Sequence, residues 1–218
     1  LDKDSLYEVA VTIGNIDSIV HLAARVPKSG TEDEMQSMVA TNIVGTSNLL
    51  ASFNGRFEKL IFGSTAEVYG VPTIRTSIDE KLLPEPKSYY GITKLASEIL
   101  ANAFCEKNNI TFISLRFSVM YGVGDLIKRA IPNFIEQAIN DQPISVFGGE
   151  ELRDYLHIDD ASNSIVISLS SDISGIYNIG TGIGISILDT AKEIIKTCGS
   201  KSEIDILPRR KPAADIVL

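Results

Sequence analysis

The chain has little of what metal sites and hydrolase sites are usually built from. Its 218 residues include two cysteines, Cys105 and Cys198, and two histidines, His21 and His157. Neither cysteine belongs to a C-x-x-C pair, so a structural zinc site lacks its ligands and we expect no bound metal. A G-x-S-x-G segment is also absent, which leaves a serine-hydrolase site without its nucleophile motif. This cysteine usage is typical of a reducing cytoplasm, where we expect the protein to work.

Long apolar runs and positive charge are scarce as well. No apolar run approaches the roughly 20 residues that a membrane-spanning helix needs, and acidic residues interrupt positions 1–20, unlike a signal peptide. The formal net charge is −8 at pH 7, whereas binding to nucleic-acid phosphates requires a basic surface. We therefore expect neither a membrane protein nor a nucleic-acid-binding protein.

The chain does contain short apolar runs that alternate with segments of helical period, a pattern typical of a parallel β-sheet between helices. The predicted fold class is therefore α/β. The predicted strands are 18–24, 59–65, 111–119 and 176–180, and the predicted helices are 33–53, 89–108, 128–140, 159–171 and 186–198. Ser186 is the expected N-cap of the last helix and Gly199 its end. The segment "GTGIGIS" (180–186) is accordingly interpreted as a packing turn and not as a dinucleotide-binding loop.

Small and polar residues follow two of the predicted strands, and ligands of open α/β sheets bind at such strand ends. Ser64 and Thr65 end the strand 59–65, and Ala23 and Ala24 follow "SIVHL". The alanines would let a flat cofactor approach the backbone. A serine or threonine at a strand end is also an ordinary turn or capping residue, so these positions alone leave the site open.

Tyr90 and Lys94 are four residues apart in the predicted helix 89–108, so the phenol and the ammonium share one helix face. A free tyrosine has a pKa of about 10, and a nearby lysine together with an oxidised nicotinamide would lower it. Tyr90 would then act as general base and acid. The Thr65 hydroxyl would hold the same substrate oxygen in line for hydride transfer. The alternative is a half-exposed aromatic residue beside a solvated lysine.

Seven segments, taken in order, resemble one protein family. They are "DSIVHLAA", "TNIVGTSNLL", "GSTAEVYG", "YYGITK", "LRFSVMYG", "VFGGEELRDYLHIDD" and "YNIGTGIGISILD". In this order and spacing they are similar to the extended short-chain dehydrogenase/reductases, in particular to the NAD-dependent nucleotide-sugar epimerases and dehydratases. The resemblance implies a Rossmann-like doubly wound parallel sheet with a smaller C-terminal substrate-binding region. Residues 1–120 would form part of an NAD(P)-binding domain, and 121–218 mainly the substrate-binding region, with some segments returning to the first domain.

The resemblance also implies roles for the matching residues. The implied catalytic residues are Thr65, Tyr90, Lys94 and Glu67. Those implied to contact the NAD cofactor are Ala23, Ala24, Asn42, Ser64, Tyr90, Lys94 and Phe117. Those implied to face the nucleotide-sugar substrate are Thr65, Val119, Arg153, Arg209, Arg210 and Asp215. Arg153, and one of Arg209 and Arg210, would hold the substrate diphosphate, a role that suits a bidentate guanidinium.

The sequence departs from the family pattern at three places, one of which is its end after "ADIVL", short of the usual family end. The glycine-rich phosphate loop and the strands around it do not precede "HLAA", so we expect the N-terminal strands of the sheet to be missing here. The choice between NAD and NADP therefore stays open. Val119 stands where many members have an asparagine against the substrate phosphates.

Ala66 bears on the type of reaction. Dehydratases of this group often have T-D-E where this chain has Thr65, Ala66 and Glu67, so the acid used for elimination is missing. We expect a nucleotide-sugar 4-epimerase that oxidises C4 transiently by hydride transfer to NAD⁺. The alternatives are a 4,6-dehydratase or decarboxylase of the same family, and a catalytically inactive member that acts as a binding protein. The resemblance also implies a homodimer in which helices 33–53 and 89–108 form a four-helix bundle.

Overall fold

The computed structural model describes residues 2–27, 32–70, 77–125, 129–209 and 217–218. These residues form two compact units, each assembled from separate parts of the chain. The first unit contains the described residues of 1–70, 79–117 and 160–179, and the second contains those of 71–78, 118–159 and 180–218. No helix within the described ranges is long and apolar enough to cross a lipid bilayer.

The secondary structure alternates along most of the chain. The α-helices are α1 (Lys3–Ile13), α2 (Glu32–Met38), α3 (Gly45–Ser52), α4 (Tyr89–Lys107), α5 (Ala130–Ile139), α6 (Ile158–Ser170) and α7 (Ile187–Cys198). The strands are β1 (Ser18–His21), β2 (Lys59–Thr65), β3 (Thr111–Phe117), β4 (Val119–Tyr121), β5 (Ile144–Phe147), β6 (Leu152–His157), β7 (Gly175–Ile179), β8 (Gly184–Ser186) and β9 (Ile204–Leu207).

The first unit is built on a parallel sheet with the strand order β1-β2-β3-β7. Lys59 of β2 lies beside Ser18 of β1 on one side and Thr111 of β3 on the other, so the three strands start level with one another. Successive residues of β2 and β3 are buried, as expected for central strands of a parallel sheet that is covered on both faces. The predicted α/β class and the parallel sheet are confirmed.

Two predicted strands differ from the observed ones. The strand predicted over 18–24 ends at His21, because the side chain of Asn42, and not a neighbouring strand, bonds the backbone of Arg25. The strand predicted over 111–119 is two strands, since β3 ends at Phe117 and β4 pairs with β6 in the second unit. The apolar run is continuous in the sequence, and a local pattern does not indicate a change of sheet.

The helices largely follow their predicted bounds, with one interruption. A π-helical turn, Val39–Val44, lies between α2 and α3, so the helix predicted over 33–53 is not regular. Asn42 lies in this turn, and such turns are rare and often found at functional sites. Helix α7 begins after Ser186, whose hydroxyl caps it, and ends at Gly199 in the left-handed conformation (φ 61°), as predicted.

The sequence pattern does not predict α1, β5, β6, β8 or β9. The four strands have three to six residues each, which is too short for a periodic pattern to distinguish them from loops. In the second unit, β4, β6 and β8 form one small sheet, and β5 and β9 form a parallel pair. Helices α5 and α7 pack on the β5–β9 pair around a core of buried residues: Phe134, Ala138, Ile144, Val146 and Ala191.

A buried ion pair joins α4 to the sheet of the first unit. Glu98 on α4 and Arg116 on β3 are 2% and 3% exposed, and their side chains meet with an Nη2–Oε1 distance of 2.5 Å. The second carboxylate oxygen accepts from the Ser114 hydroxyl at 2.8 Å and from Arg116 Nε at 3.2 Å. Arg116 also donates to the Tyr69 hydroxyl at 2.8 Å, which in turn donates to the Asn178 side chain. The network therefore ties helix α4 to strands β3 and β7.

We expect Glu98→Ala to lower the free energy of unfolding by about 3–5 kcal/mol, because Arg116 would stay buried without its carboxylate partner. Urea unfolding measures this loss. Glu106→Ala is the matched control, since Glu106 is an exposed glutamate on the same helix and its loss should cost no more than about 0.5 kcal/mol. Equal losses in the two variants would contradict a stabilising role for the buried pair.

Candidate active site

Strand β2 ends in the hydroxyl residues that the sequence analysis selected. Thr65 lies beside Phe117 in the sheet, and its hydroxyl caps the 3₁₀ turn Ala66–Tyr69 by accepting from the Glu67 amide at 3.3 Å. Ser64 is 5% exposed, and its buried hydroxyl has no hydrogen-bond partner among the described residues. The strand end thus presents one hydroxyl that caps the following turn and one buried hydroxyl without a partner among the described residues.

Helix α4 places Tyr90 in its first turn and Lys94 one turn later. Ser88 caps the helix, because its hydroxyl accepts from the Gly91 amide at 3.0 Å. Tyr90 is half-buried, whereas its neighbour Tyr89 is 48% exposed. Lys94 is 2% exposed, so it is not a solvated lysine on a helix surface.

The Lys94 ammonium is buried against an aromatic ring. Its Nζ atom lies 4.2 Å from the centroid of the Phe62 ring, a cation–π contact. Burial lowers the pKa of Lys94 to about 8, and the negative charge of Glu98 opposes this shift. The Lys94 Nζ atom has no hydrogen-bond acceptor among the described residues. Lys94 is therefore a charged donor group held ready for an acceptor.

Glu67 contacts the helix and not only its own turn. Its Oε2 atom accepts from the Ser88 hydroxyl at 2.6 Å. A Cβ atom built on Gly91 would lie 2.6 Å from the Glu67 carbonyl oxygen, closer than real Cβ contacts come, so only glycine fits at position 91. The turn after β2 and the first turn of α4 are therefore in direct contact.

Asn42 connects the loop after β1 to the same helix. Its side-chain oxygen accepts from the Arg25 amide at 2.7 Å, and its side-chain nitrogen donates to the Arg25 carbonyl at 3.2 Å and to the Thr93 hydroxyl at 2.9 Å. The Ser97 hydroxyl donates to the Asn42 carbonyl at 2.8 Å. Ala23 and Ala24 lie in the loop that Asn42 holds, Ala23 exposed and Ala24 half-buried.

The polar network extends to His21, a residue that the sequence analysis did not use. The Asn42 carbonyl accepts from the Thr46 hydroxyl at 2.5 Å, so the Thr46 oxygen accepts from His21 Nε2, 2.8 Å away. The imidazole is 3% exposed. Burial, aided by the charge of Lys94, lowers the pKa of His21 to about 4. His21 is therefore neutral beside the charged lysine.

Of the candidate substrate residues that the structure describes, Val119, Arg153 and Arg209 lie in the second unit, whereas Thr65 lies in the first. Val119 and Arg153 line a cavity of about 190 Å³, together with Tyr121, Arg129, Tyr155 and Ile187. Arg129 was not predicted, because a single arginine between a loop and a helix gives no pattern. Its presence means that two guanidinium groups face one cavity.

Arg209 makes a contact that the sequence analysis did not predict. Its Nε atom lies 2.5 Å from an oxygen of Glu151, a side chain that is 4% exposed. Burial raises the pKa of the Glu151 carboxyl. Backbone amides and the Arg209 guanidinium together lower this pKa by more, so the net shift is downward. Arg210 and Asp215 lie outside the described residues.

Comparison with known proteins identifies the family. A family model described as the NAD dependent epimerase/dehydratase family matches residues 1–180. The chain belongs to this family. It is 33% identical over 193 residues to the dTDP-D-glucose 4,6-dehydratase of Dictyostelium discoideum. The matched region covers 83% of this chain and 44% of that relative. Across four such curated relatives, the chain spans 32% to 65% of their length.

Solved structures of epimerases share the fold. UDP-glucose 4-epimerase of Thermotoga maritima, solved with UDP-glucose, matches with a TM-score of 0.90 and 26% identity over 100% of this chain and 72% of its own. UDP-glucuronic acid 4-epimerase of Bacillus cereus, solved with UDP-glucuronic acid and NAD, matches with a TM-score of 0.87 and 29% identity over 100% of this chain and 70% of its own. The Rossmann-like fold that the sequence implied is confirmed.

The first unit fits the cofactor that the family's description names. The buried Ser64 hydroxyl lacks a partner among the described residues, and the Lys94 ammonium lacks an acceptor there. A dinucleotide offers ribose hydroxyls and an amide, which are groups that such a hydroxyl and ammonium bind. The exposed Ala23 leaves the strand end open to a flat ring.

We expect His21 to make the protein less stable as the pH falls from 7 to 5. An unfolded histidine takes up a proton near pH 6.5, but His21 in the folded protein does so only near pH 4. The unfolded state therefore binds more protons in this range, and the wild type loses about 2 kcal/mol of unfolding free energy through this group.

Urea unfolding of the wild type and of His21→Gln at pH 7 and pH 5 measures the effect. The Gln side chain retains a nitrogen donor for Thr46 but does not titrate, so the loss between the two pH values should be smaller in the variant by about 2 kcal/mol. Equal losses would show that His21 is not held neutral by the fold.

Proposed function

We propose that the protein is an NAD-dependent nucleotide-sugar 4-epimerase. The observation that supports this most strongly is the environment of Lys94, a buried ammonium one helical turn after Tyr90. A lysine that served only as a surface charge would be solvated, and burying one without a role is costly. Such a pair of residues suits a site in which a tyrosine must lose its proton near neutral pH.

Each site residue then has a defined task. Tyr90 takes the proton from the C4 hydroxyl of the sugar and later returns it. Lys94 holds a ribose hydroxyl of the cofactor and favours the Tyr90 phenolate by its charge. The Thr65 hydroxyl bonds the same substrate oxygen and keeps it in line. When bound, NAD⁺ would supply the acceptor for the hydride on the sugar C4 and, once reduced, the donor for its return to the other face of the ketose.

Cofactor and substrate contacts follow from the same reasoning. The unit that would hold NAD contains Ser64, Asn42, Phe117 and the two alanines after β1. The choice of NAD over NADP follows the family's description.

For the substrate, Arg153 would bind the diphosphate, and Arg129 offers a second guanidinium at the same cavity. The contact of Arg209 with Glu151 means that Arg209 would have to exchange partners to bind a diphosphate, whereas Arg210 and Asp215 stay predictions.

Two alternatives have support of their own. Curated relatives include a dTDP-D-glucose 4,6-dehydratase, so dehydration or decarboxylation of a nucleotide sugar is the second candidate. Ala66 stands against it, because the acid used for elimination is missing. A catalytically inactive binding protein is the third candidate, and the complete set of Thr65, Tyr90 and Lys94 stands against that.

We expect Tyr90→Phe to lower kcat by at least about 100-fold while leaving KM within a few fold, because the ring remains but the proton carrier is lost. The assay uses the full-length protein and a panel of UDP-, GDP-, CDP- and dTDP-sugars, with product identification. Tyr89→Phe is the matched control, since Tyr89 is exposed and outside the motif, and its kcat should equal that of the wild type.

The same panel distinguishes the alternatives. A 4-keto-6-deoxy product or released carbon dioxide would show that the protein is a dehydratase or a decarboxylase and not an epimerase. An unchanged kcat in Tyr90→Phe would refute the assignment of the catalytic tyrosine. The absence of any nicotinamide cofactor and of turnover in the purified full-length protein would favour the inactive binding protein.

The homodimer and the cytoplasmic location also belong to this proposal. Exposed apolar residues of α4 recur at helical spacing, with Tyr89 48%, Ile92 46% and Ile99 61% exposed, and the neighbouring π-helical turn exposes Val39 and Val44. An exposed apolar stripe on two adjacent helices suits a four-helix interface between two copies.

We expect light scattering to find a dimer at micromolar concentration and a monomer for Ile99→Glu, because the variant would bury a charge in the helical interface. Val166→Glu is the control, since Val166 is 62% exposed on α6, a helix that is not part of the proposed interface, and this variant should stay dimeric. A monomeric wild type, or a dimeric Ile99→Glu variant, would exclude this interface.

A further inference from the structure

A hydrogen-bonded chain of three residues joins the turn that contains Thr65 to the helix that contains Tyr90. The Ser88 hydroxyl donates to Glu67 Oε2 at 2.6 Å and accepts from the Gly91 amide at 3.0 Å. The direction of both bonds is fixed, because a carboxylate only accepts and a backbone amide only donates. The single proton and an oxygen lone pair of Ser88 are therefore both in use.

The backbone packing reinforces this chain of bonds. The Glu67 carbonyl approaches Gly91 so closely that a Cβ atom there would lie 2.6 Å away. The obstructing atom belongs to the backbone and cannot move aside as a flexible side chain could, so a side chain at position 91 would push the two segments apart. Thr65 is two residues before Glu67, and Tyr90 is the residue before Gly91. A shift at this contact would therefore move both reacting side chains.

The surroundings of Glu67 suit an acceptor with a fixed position. Its side chain reaches the N-terminus of α4, a helix of 19 residues, where unpaired amides and the helix dipole attract an acidic group. Its bond to the Ser88 hydroxyl, at 2.6 Å, lies in the short range typical of a hydroxyl that donates to a carboxylate.

We propose that Glu67 and Ser88 are positioning residues that hold the Thr65 turn against the first turn of α4, and that Glu67 transfers no proton to or from the substrate. The proposal rests on the proposed epimerase function and deepens it. With Glu67 engaged in this way, Tyr90 is left as the group that moves protons, which suits oxidation and reduction at C4 and gives elimination no base.

The two roles of Glu67 predict opposite results for Glu67→Gln. The Gln amide oxygen still accepts from the Ser88 hydroxyl, so the variant retains the contact but has no base. As a positioning variant, Glu67→Gln should keep kcat within about threefold of the wild type, whereas Glu67→Ala and Ser88→Ala should each lose about 100-fold, since a displacement of 1 Å can cost that much. KM should change little in any of them, because the loss is confined to the reacting geometry.

Further variants separate positioning from a general loss of structure. Ser88→Thr keeps the hydroxyl and should recover most of kcat. The double variant Glu67→Ala/Ser88→Ala should lose no more than either single variant, because both remove one shared contact. Ser186→Ala is the matched control: Ser186 caps α7 and its hydroxyl bonds the Asp189 carboxylate at 2.7 Å, yet it lies outside this contact. It should lower the midpoint of thermal unfolding without changing kcat.

Amide hydrogen exchange gives a readout that needs no substrate. The amides of Gly91, Ile92 and Thr93 should exchange faster in Glu67→Ala and Ser88→Ala than in the wild type, and at the wild-type rate in Glu67→Gln. Kinetics use the full-length protein and whichever sugar of the UDP-, GDP-, CDP- and dTDP-sugar panel the wild type converts.

Two results would overturn the proposal. If Glu67→Gln is as inactive as Glu67→Ala while its amide exchange is unchanged, Glu67 is a proton-transfer residue. If Ser88→Ala keeps both wild-type kcat and wild-type exchange, the contact positions nothing. Tyr90→Phe in the same assay tests the proposed function separately, because an active Tyr90→Phe variant refutes the epimerase mechanism whatever the Glu67 and Ser88 variants do.

Discussion

Helix α4 buries two side chains of opposite charge, and this is the constraint on which the first unit depends. Lys94 and Glu98 are one turn apart, and each is 2% exposed. A buried charge is tolerated only where partners compensate its lost hydration. Arg116 and Ser114 compensate Glu98, and the Phe62 ring together with the nearby Glu98 charge compensates Lys94 in part. A different rotation of α4 would put a charge against the apolar core, so the helix has one orientation on the sheet.

Polar contacts on another side of α4 complete its placement. Asn42 bonds Thr93 of α4 and both backbone groups of Arg25, and a buried amide without these partners would be costly. At the helix start, Ser88 bonds Glu67. The helix is thus fixed by the sheet, by the π-helical turn and by the turn after β2. Side chains on an element held in this way keep their rotamers and positions, which is the preorganisation that an active site needs.

The sequence was sufficient for the features that local patterns encode. The alternation of apolar runs and helical segments predicted the parallel sheet, and the caps of α7 were predicted from Ser186 and Gly199. It was insufficient where long-range partners decide. The run 111–119 contains no signal for the change of sheet at Ser118. Glu98 lies four residues after Lys94 and shares its face, but Arg116 as its partner becomes visible only when β3 lies beside α4.

By itself, the sequence determined the α/β class, the family through its ordered motifs, and the pairing of Tyr90 with Lys94 on one helix face, because periodicity and spacing are local properties of the chain. Only the tertiary structure decided that Lys94 is buried, that Glu67 bonds the cap of α4, that His21 is neutral and that Arg209 contacts Glu151. Burial and hydrogen-bond partners depend on segments far apart in the chain. A local pattern says which groups share a face, but not what lies opposite that face.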